Sequence, residues 1–531
     1  MSFPSRRARL ALLAGCATLG LAGTADAAVT KADYNTITNA LTVEFDGDTN
    51  IEITCDGADK IKVNGVKPTR DLADGGETGC AAPTSLTVKE AAGNDASANV
   101  VDLRGVTKAK FTALAASAIN TEDGTDTVFG SEIADTIDPG DENDTVNGNA
   151  GNDEIIWNPG DDSDVMNGDS GVDTVTDNGG GGDEEFVVKP KDGDPTRVDA
   201  SRINNPFTLD IEAEKLTVNG NGGNDKITGN TGVAGLIKVT MNGGDGNDVL
   251  VGTDGDDVLK GGAGNDSVAG ARGNDDMAGD DGDDVLTWNP GEGSDKFEGG
   301  AGNDTAVDNG GAAAEHFIVS ANGQRVTATR DNGAPFFLDI GTSETLDLNA
   351  NGGNDTVDVN NGLAALIKVD VNLGDGDDSI KARNDSAELI DGAAGADSAQ
   401  VDATDQVTNV ETIDAPAVVP PVDRVAPKVV LLAKKNIKVK AGKAIVKVTC
   451  PAGESACNGK IKIVRGGKVL GSIATKLAGG QTKTYKIALS RKAKAALAKA
   501  PGRKLAVTVK VKATDAAGNT GNVSKKLTLK R

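Results

Sequence analysis

From Gly243 the chain can be written in nines without a slip: GGDGNDVLV, GTDGDDVLK, GGAGNDSVA, GARGNDDMA and GDDGDDVLT, ending at Thr287. Position 1 is Gly243, Gly252, Gly261, Gly270 and Gly279, and position 4 is Gly246, Gly255, Gly264, Gly273 and Gly282. Position 6 is Asp248, Asp257, Asp266, Asp275 and Asp284, while position 8 is apolar each time, as Leu250, Leu259, Val268, Met277 and Leu286. A fixed short period marks an architecture in which each unit packs only on its neighbours, so the fold must be quasi-one-dimensional.

The frame extends in both directions. After an inserted Trp288-Asn289 it resumes as PGEGSDKFE and GGAGNDTAV, placing Asp295 and Asp304 at position 6. An earlier block from Thr121 to Ile156 puts Asp126, Asp135, Asp144 and Asp153 there, inserts Trp157-Asn158, and continues through Asp164 and Asp173. A shorter block between Leu373 and Gln400 carries Asp378 and Asp397. Above the nines lies a longer period: Trp157-Asn-Pro-Gly recurs 131 residues later at Trp288, and Leu236-Ile-Lys-Val recurs 130 residues later at Leu366. Asn94-Asp95 matches Asn224-Asp225 at the same spacing, which predicts a worn first copy before Thr121, and Asp225 maps onto Asp355. Intervening stretches such as KLTVNG at Lys215 and TLDLNA at Thr345 alternate like strands and lack a helical period.

Glycine at positions 1 and 4 permits positive φ and close backbone packing in a tight turn, and the last three positions give a short strand with one side chain inward. Two nonapeptides then form a coil of 18 residues, and stacking coils about 4.8 Å apart as parallel strands places the position-6 aspartates of alternate repeats above one another. Asp248, Asp266 and Asp284 form one expected column, Asp257 and Asp275 another. Carboxylates at that spacing repel by about 3–4 kcal/mol at an effective dielectric of 20, repeated along each column. Composition sharpens the problem, because the chain is 37% apolar and 3% aromatic with a net charge of −26. High charge with few large apolar residues is a signature of disorder, so something besides hydrophobic burial must hold the acidic part together. A divalent cation between turns reverses the sign of the repulsion, and carboxylate plus carbonyl oxygens in a flexible cage suit calcium better than magnesium.

These residues resemble the RTX, or haemolysin-type, calcium-binding repeat, written G-G-x-G-x-D-x-U-x. The match is strong from Gly243 to Val307, good from Thr121 to Thr176 and weak over the rest of the acidic body. The resemblance implies an all-β fold, a parallel β-roll or β-solenoid, whose turn aspartates and nearby carbonyls bind several calcium ions and whose folding waits for them. It implies as metal ligands Asp126, Asp135, Asp144, Asp153, Asp164, Asp173, Asp225, Asp248, Asp257, Asp266, Asp275, Asp284, Asp295, Asp304, Asp355 and Asp378. Members exported in one step carry a C-terminal signal, whereas here the export signal reads as N-terminal.

Charge divides the chain. From Arg424 onward there are 27 basic residues against two acids, Glu454 and Asp515, a net +25, which leaves −51 before it. A proline-rich linker, 416–427, separates the two parts. The basic part, 428–531, reads as short strands with turn signals and one helix from Arg491 to Ala500, capped by Ser490, and Ala513-Thr-Asp-Ala-Ala-Gly-Asn519 resembles the end of a bacterial Ig-like β-sandwich. The full expected layout is a signal peptide at 1–27, a degenerate, β-rich first copy at 28–120, the repeat solenoid at 121–415, the linker, and the basic domain. Arg6, Arg7 and Arg9 before an apolar run, with Ala25-Asp26-Ala27 behind it, predict export and cleavage after Ala27. Leu13-Ala14-Gly15-Cys16 is the competing lipobox reading, which would anchor the chain through Cys16. An even set of remaining cysteines, Cys55, Cys80, Cys450 and Cys457, fits two local disulfides in an oxidising, extracellular compartment.

Catalytic signals are weak. His316 is the sole histidine, which rules out His-Glu-x-x-His chemistry, and no Walker or G-x-S-x-G sequence is present. Gly168-Asp169-Ser170-Gly171 imitates a serine-protease motif but lies inside the nonapeptide frame. Asp46-x-Asp48-x-Asn50 begins like an EF-hand and then has Ile51 where glycine is required. Trp157 and Trp288 are read as packing at the block junctions, with sugar stacking the other use open to an indole. The sequence thus points to a non-enzymatic, secreted or cell-surface calcium-binding protein with a structural or adhesive role. The competing expectation is a secreted polysaccharide-active or other hydrolase carrying such repeats. No run is long enough for a transmembrane span. The basic domain fits an anionic wall polymer or other polyanion, with nucleic acid not expected as a specific partner.

Overall fold

In the computed structural model, which describes residues 29–35, 38–46, 50–64, 70–71, 78–91, 97–384, 386–415, 425–433, 435–452 and 456–531, every nonapeptide supplies one strand. Successive strands fall alternately into two parallel sheets. In one sheet Val258–Ala263, Asp276–Asp281 and Lys296–Ala301 stack with Leu259, Met277 and Phe297 in register. In the other, Val249–Val251, Ser267–Ala269 and Val285–Trp288 stack with Leu250, Val268 and Leu286 in register. One coil is therefore 18 residues, lengthening to 20 where Trp288-Asn289 is inserted. The position-8 side chains point into the space between the sheets and are fully buried, while their neighbours at positions 7 and 9 are not. Two apolar side chains per coil, one from each sheet, make a thin core, consistent with the low aromatic content.

The worn first copy belongs to the same solenoid. Ala40–Phe45, Ser85–Glu90 and Ala116–Asn120 stack in parallel beneath Ala134–Asp138. An antiparallel hairpin, Val29–Asn35 on Ala40–Phe45, covers that end, which spares the stack an unpaired flat edge. Cys55 and Cys80 form a disulfide in this region. The export signal with Cys16, the pair Asn94-Asp95 and most of the linker lie outside the described residues.

Two antiparallel meanders interrupt the parallel order. Glu185–Pro190, Val198–Arg202 and Phe207–Glu212 are inserted so that the last pairs with Val165–Asn167 and the first with Lys226–Gly229. His316–Asn322, Arg325–Arg330 and Phe336–Gly341 repeat the device in the other sheet, between Lys296–Ala301 and Thr356–Val359. At the base of each, a fully buried tryptophan stacks on a meander phenylalanine: Trp157 on Phe207 at 3.9 Å and Trp288 on Phe336 at 3.8 Å between centroids. Their indole N–H groups donate to the carbonyls of Asp162 and Gly293, both at 2.9 Å. Buried side chains with a satisfied donor are junction packing, and the sugar-stacking use is closed to them.

A second compact unit, Ala417–Arg531, is antiparallel except where Asn436–Lys440 runs parallel to Thr520–Lys530. Asn458–Arg465, Lys468–Thr475, Lys504–Thr514 and Thr520–Lys530 form one sheet, joined by Asn436–Lys440, and Lys443–Thr449 with Thr482–Ala488 form the facing layer over a shared aliphatic core. Cys450 and Cys457 are bonded. The helix Arg491–Lys499 is capped by Ser490, whose side chain accepts the Ala493 N–H at 3.2 Å. Among the described residues no helix is long and apolar enough to cross a membrane.

Candidate metal centre

The turns between strands bring the position-6 residues together in columns with the predicted register. Asp248 N–H donates to the Asp266 carboxylate, Asp266 N–H to Asp284, and Asp284 N–H to Asp304, at 2.7–2.9 Å. Asp257, Asp275 and Asp295 form the second column in the same way, at 2.8 Å. Asp126, Asp144 and Asp164 make one ladder in the first block, and Asp135, Asp153 and Asp173 the other. Asp225 leads onto Asp248, and Asp355 leads onto Asp378 and then Asp397. Apart from Asp135 and Asp257, which head their columns, each aspartate thus spends one oxygen, Oδ1, on the backbone of the coil before it.

The other oxygen is left over. Asp126, Asp144, Asp153, Asp164, Asp173, Asp225, Asp248, Asp266, Asp275, Asp284, Asp295, Asp304, Asp355 and Asp378 all bury an Oδ2 that has no hydrogen-bond partner. At Gly148, Gly220, Gly243, Gly279 and Gly299 this oxygen lies over the position-1 glycine of its own repeat, and a carbonyl of the next coil points at the same spot. Asp126, Asp144, Asp164, Asp295, Asp355 and Asp378 instead have Thr121, Pro139, Pro159, Pro290, Ala350 and Leu373 at position 1. Asp304 Oδ2 and the Thr342 carbonyl each lie 2.6 Å from the point that a Cβ on Gly299 would occupy. Position 4 is restricted by a different contact: Gly282 has φ +143°, and a Cβ there would strike the Gly264 carbonyl of the preceding coil. The repeat glycines therefore keep clear a cradle of buried hard oxygens. Among the described residues no three acidic, histidine or cysteine side chains converge on one point, so an ion held here takes backbone carbonyls with its carboxylates. Buried, negative, all-oxygen and adaptable in ligand number, the cradle fits calcium.

Asp135 and Asp257 differ from the other predicted ligands. Their repeats carry Ser131 and Thr253 at position 2, whose backbone N–H groups and hydroxyls donate to the carboxylate and occupy the second oxygen. Other participants escaped the sequence frame. Three of the columns end on glutamates: Asp173, Asp304 and Asp397 donate their N–H to Glu214, Glu344 and Glu411 at 2.8–3.0 Å. Three begin on Asn99, Glu184 and Glu315, whose N–H groups donate to Asp126, Asp225 and Asp355. An outer, exposed ladder runs through position 5, where Asn265 N–H donates to Asn247 and Asp283 N–H to Asn265. The signal for that ladder was visible as the Asn or Asp that precedes each position-6 aspartate from Asp248 to Asp284. Ser170 of the protease-like motif donates to the Asn149 carbonyl, and His316 sits between Asp331 and Asp358 at 2.9 and 3.3 Å.

Burial sets the protonation of the columns. It pushes Asp266 up to about 6, Asp225, Asp153 and Asp164 to about 7, Asp275 to about 8 and Asp144 to about 9, against the opposing pull of the backbone N–H each accepts. Without a cation the folded solenoid holds protons that the unfolded chain has released. Its stability is then fully present below the ordinary carboxylate range and is lost as pH rises through about 6–9. Protein in chelator is expected to melt at a higher temperature at pH 5 than at pH 8, and its calcium midpoint to rise on acidification because calcium must displace those protons. A higher melting temperature in chelator at pH 8 than at pH 5 contradicts this.

Comparison with known families agrees with the geometry. The family model of the RTX calcium-binding nonapeptide repeat (4 copies) matches residues 120–155, 217–233, 242–277, 251–286 and 290–312. Those segments contain the position-6 residues from Asp126 to Asp153, Asp225, and Asp248 to Asp304, whereas Asp164, Asp173, Asp355 and Asp378 lie outside them. No curated protein matches the chain significantly. Over the matched segments the stacked nonapeptides are calcium-binding repeats of the RTX, haemolysin, type.

Proposed function

We propose that this chain is an extracellular structural or adhesive protein whose acidic solenoid is assembled by calcium, and that it carries out no catalysis. The observation that carries this reading is the set of laddered aspartates, each burying one unpartnered oxygen beside a backbone carbonyl. Calcium bound by these residues would neutralise charge between neighbouring coils and couple metal binding to folding. The disulfides Cys55–Cys80 and Cys450–Cys457 support an oxidising, extracellular setting. A calcium-dependent solenoid suits that setting, because it stays unfolded where calcium is scarce and sets where it is plentiful.

Calorimetric titration of the mature chain tests the reading. Several calcium ions are expected to bind with midpoints of about 10⁻⁴–10⁻³ M, as for extracellular modules, with magnesium a poor substitute. A parallel hydrolysis screen on glycans is expected to show no turnover. Heat of binding equal for the two metals, or glycan cleavage that survives substitution of turn aspartates, would displace this reading in favour of a hydrolase carrying repeats.

A further inference from the structure

The second unit presents an unusual surface. On the outer face of the sheet built from Asn458–Arg465, Lys504–Thr514 and Thr520–Lys530, Lys460 lies directly opposite Lys512 and Lys462 directly opposite Lys510. Lys504 lies opposite Lys530, which is also in register with Lys438 on the next strand. All of these side chains are exposed. Like charges directly opposite across a sheet are destabilising, and among the described residues no side-chain carboxylate pairs with them. The unit has three acids: Asp515 is buried and accepts the Asn519 N–H at 2.8 Å, and Asp423 and Glu454 lie outside the described residues. Between the two groups of lysines runs a shallow groove of about 480 Å³, floored by small residues such as Ala506, Thr508 and Thr528 and flanked by Lys435, Arg465 and Lys526.

We propose that this face is a docking surface for a linear polyanion of the polyol-phosphate class. Opposed lysines stand about 5 Å apart across strands, and Lys460 and Lys462, like Lys510 and Lys512, about 6.8 Å apart along them. Charges spaced along a phosphodiester chain meet such a lattice one by one, and the small-residue groove leaves room for the uncharged links between them. Nucleic acid fits less well. Single-stranded nucleic acid is held largely by stacking on aromatic side chains, and the sole aromatic residue after Arg424 is Tyr485, which is buried. This inference stands on the charge of the second unit and is independent of the calcium reading.

The test is binding of soluble poly(glycerol phosphate) to the full chain at about 0.15 M salt in calcium-containing buffer, a screening regime in which non-specific attraction is weak. Substituting Lys460→Gln, Lys462→Gln, Lys510→Gln and Lys512→Gln together is expected to weaken binding at least tenfold and flatten its salt dependence. The same variant should melt no lower than the parent, since repulsion has been removed. A control quartet on the facing layer and helix, Lys443→Gln, Lys447→Gln, Lys486→Gln and Lys492→Gln, removes equal charge and is expected to change affinity less than twofold. Equal losses in both quartets, absence of binding by the parent, or tighter binding of a single-stranded oligonucleotide of equal charge would each overturn the proposal.

Discussion

Replacing Arg330 with methionine is expected to cost about 3–5 kcal/mol of solenoid stability, the penalty for removing one partner of a buried ion pair. Arg330 is 5% exposed, pairs with Glu315, donates to the Ala334 carbonyl and lies over the rings of Trp288 and Phe336. Glu315 stands at position 6 of a repeat whose frame resumes after an inserted Asp308-Asn309, and its other oxygen accepts the Gly311 N–H at 2.6 Å. Asp308 is fully buried with both oxygens unpartnered, and burial pushes it up to about 7 in spite of the nearby guanidinium. The same constellation occurs a long period earlier in Asp177, Glu184, Arg202, Trp157 and Phe207, with Arg202 and Glu184 2.5 Å apart. At these two coils the chain supplies its own cation. The loss should therefore appear in urea melts at saturating calcium, and Glu315→Gln added to Arg330→Met should recover part of it. A cost below about 1 kcal/mol, the range of an exposed pair, would show the guanidinium to be dispensable.

The second large effect has opposite signs in the two metal states. Asparagine at Asp266 and Asp284 preserves the oxygen that accepts the N–H of the coil before, at 2.7 and 2.8 Å, and replaces the orphaned oxygen with an amide that cannot bind a cation. The double variant is expected to shift the calcium midpoint at least tenfold upward. In chelator it should be more stable than the parent, because two buried charges have gone. Asp257→Asn is the contrast, since Thr253 already occupies that carboxylate, and its calcium midpoint should stay within about twofold of the parent's. Loss of stability in both metal states for the double variant would mean that these aspartates act only as hydrogen-bond acceptors.

Much of this was legible in the sequence because the repeat writes its geometry in residue identity. Turns that leave little room for a Cβ show as glycine at positions 1 and 4 from Gly243 to Thr287, and the register of Asp248, Asp266 and Asp284 follows from nine residues per strand and two strands per coil. The meanders were less legible. Their strands alternate as expected, but nothing local marks Arg202 as the partner of Glu184, 18 residues away, so the insertions Asp177-Asn178 and Asp308-Asn309 passed as spacer. Aspartate changed to glutamate at position 6 where the partner became a guanidinium, and a search for aspartate alone misses it. Ser131 and Thr253 were hidden for a related reason: a hydroxyl at position 2 alters the role of a carboxylate four residues on, without disturbing the frame.

The central claim is that calcium in the glycine-aspartate turns holds the acidic solenoid together. Far-ultraviolet circular dichroism of the purified chain at pH 7.5, recorded in excess EDTA and then with calcium restored, addresses it most directly. The account predicts a largely coil-like spectrum in chelator, with the second unit contributing the residual β signal, and a cooperative return of β structure on adding calcium. A spectrum and melting temperature unchanged by EDTA would contradict it.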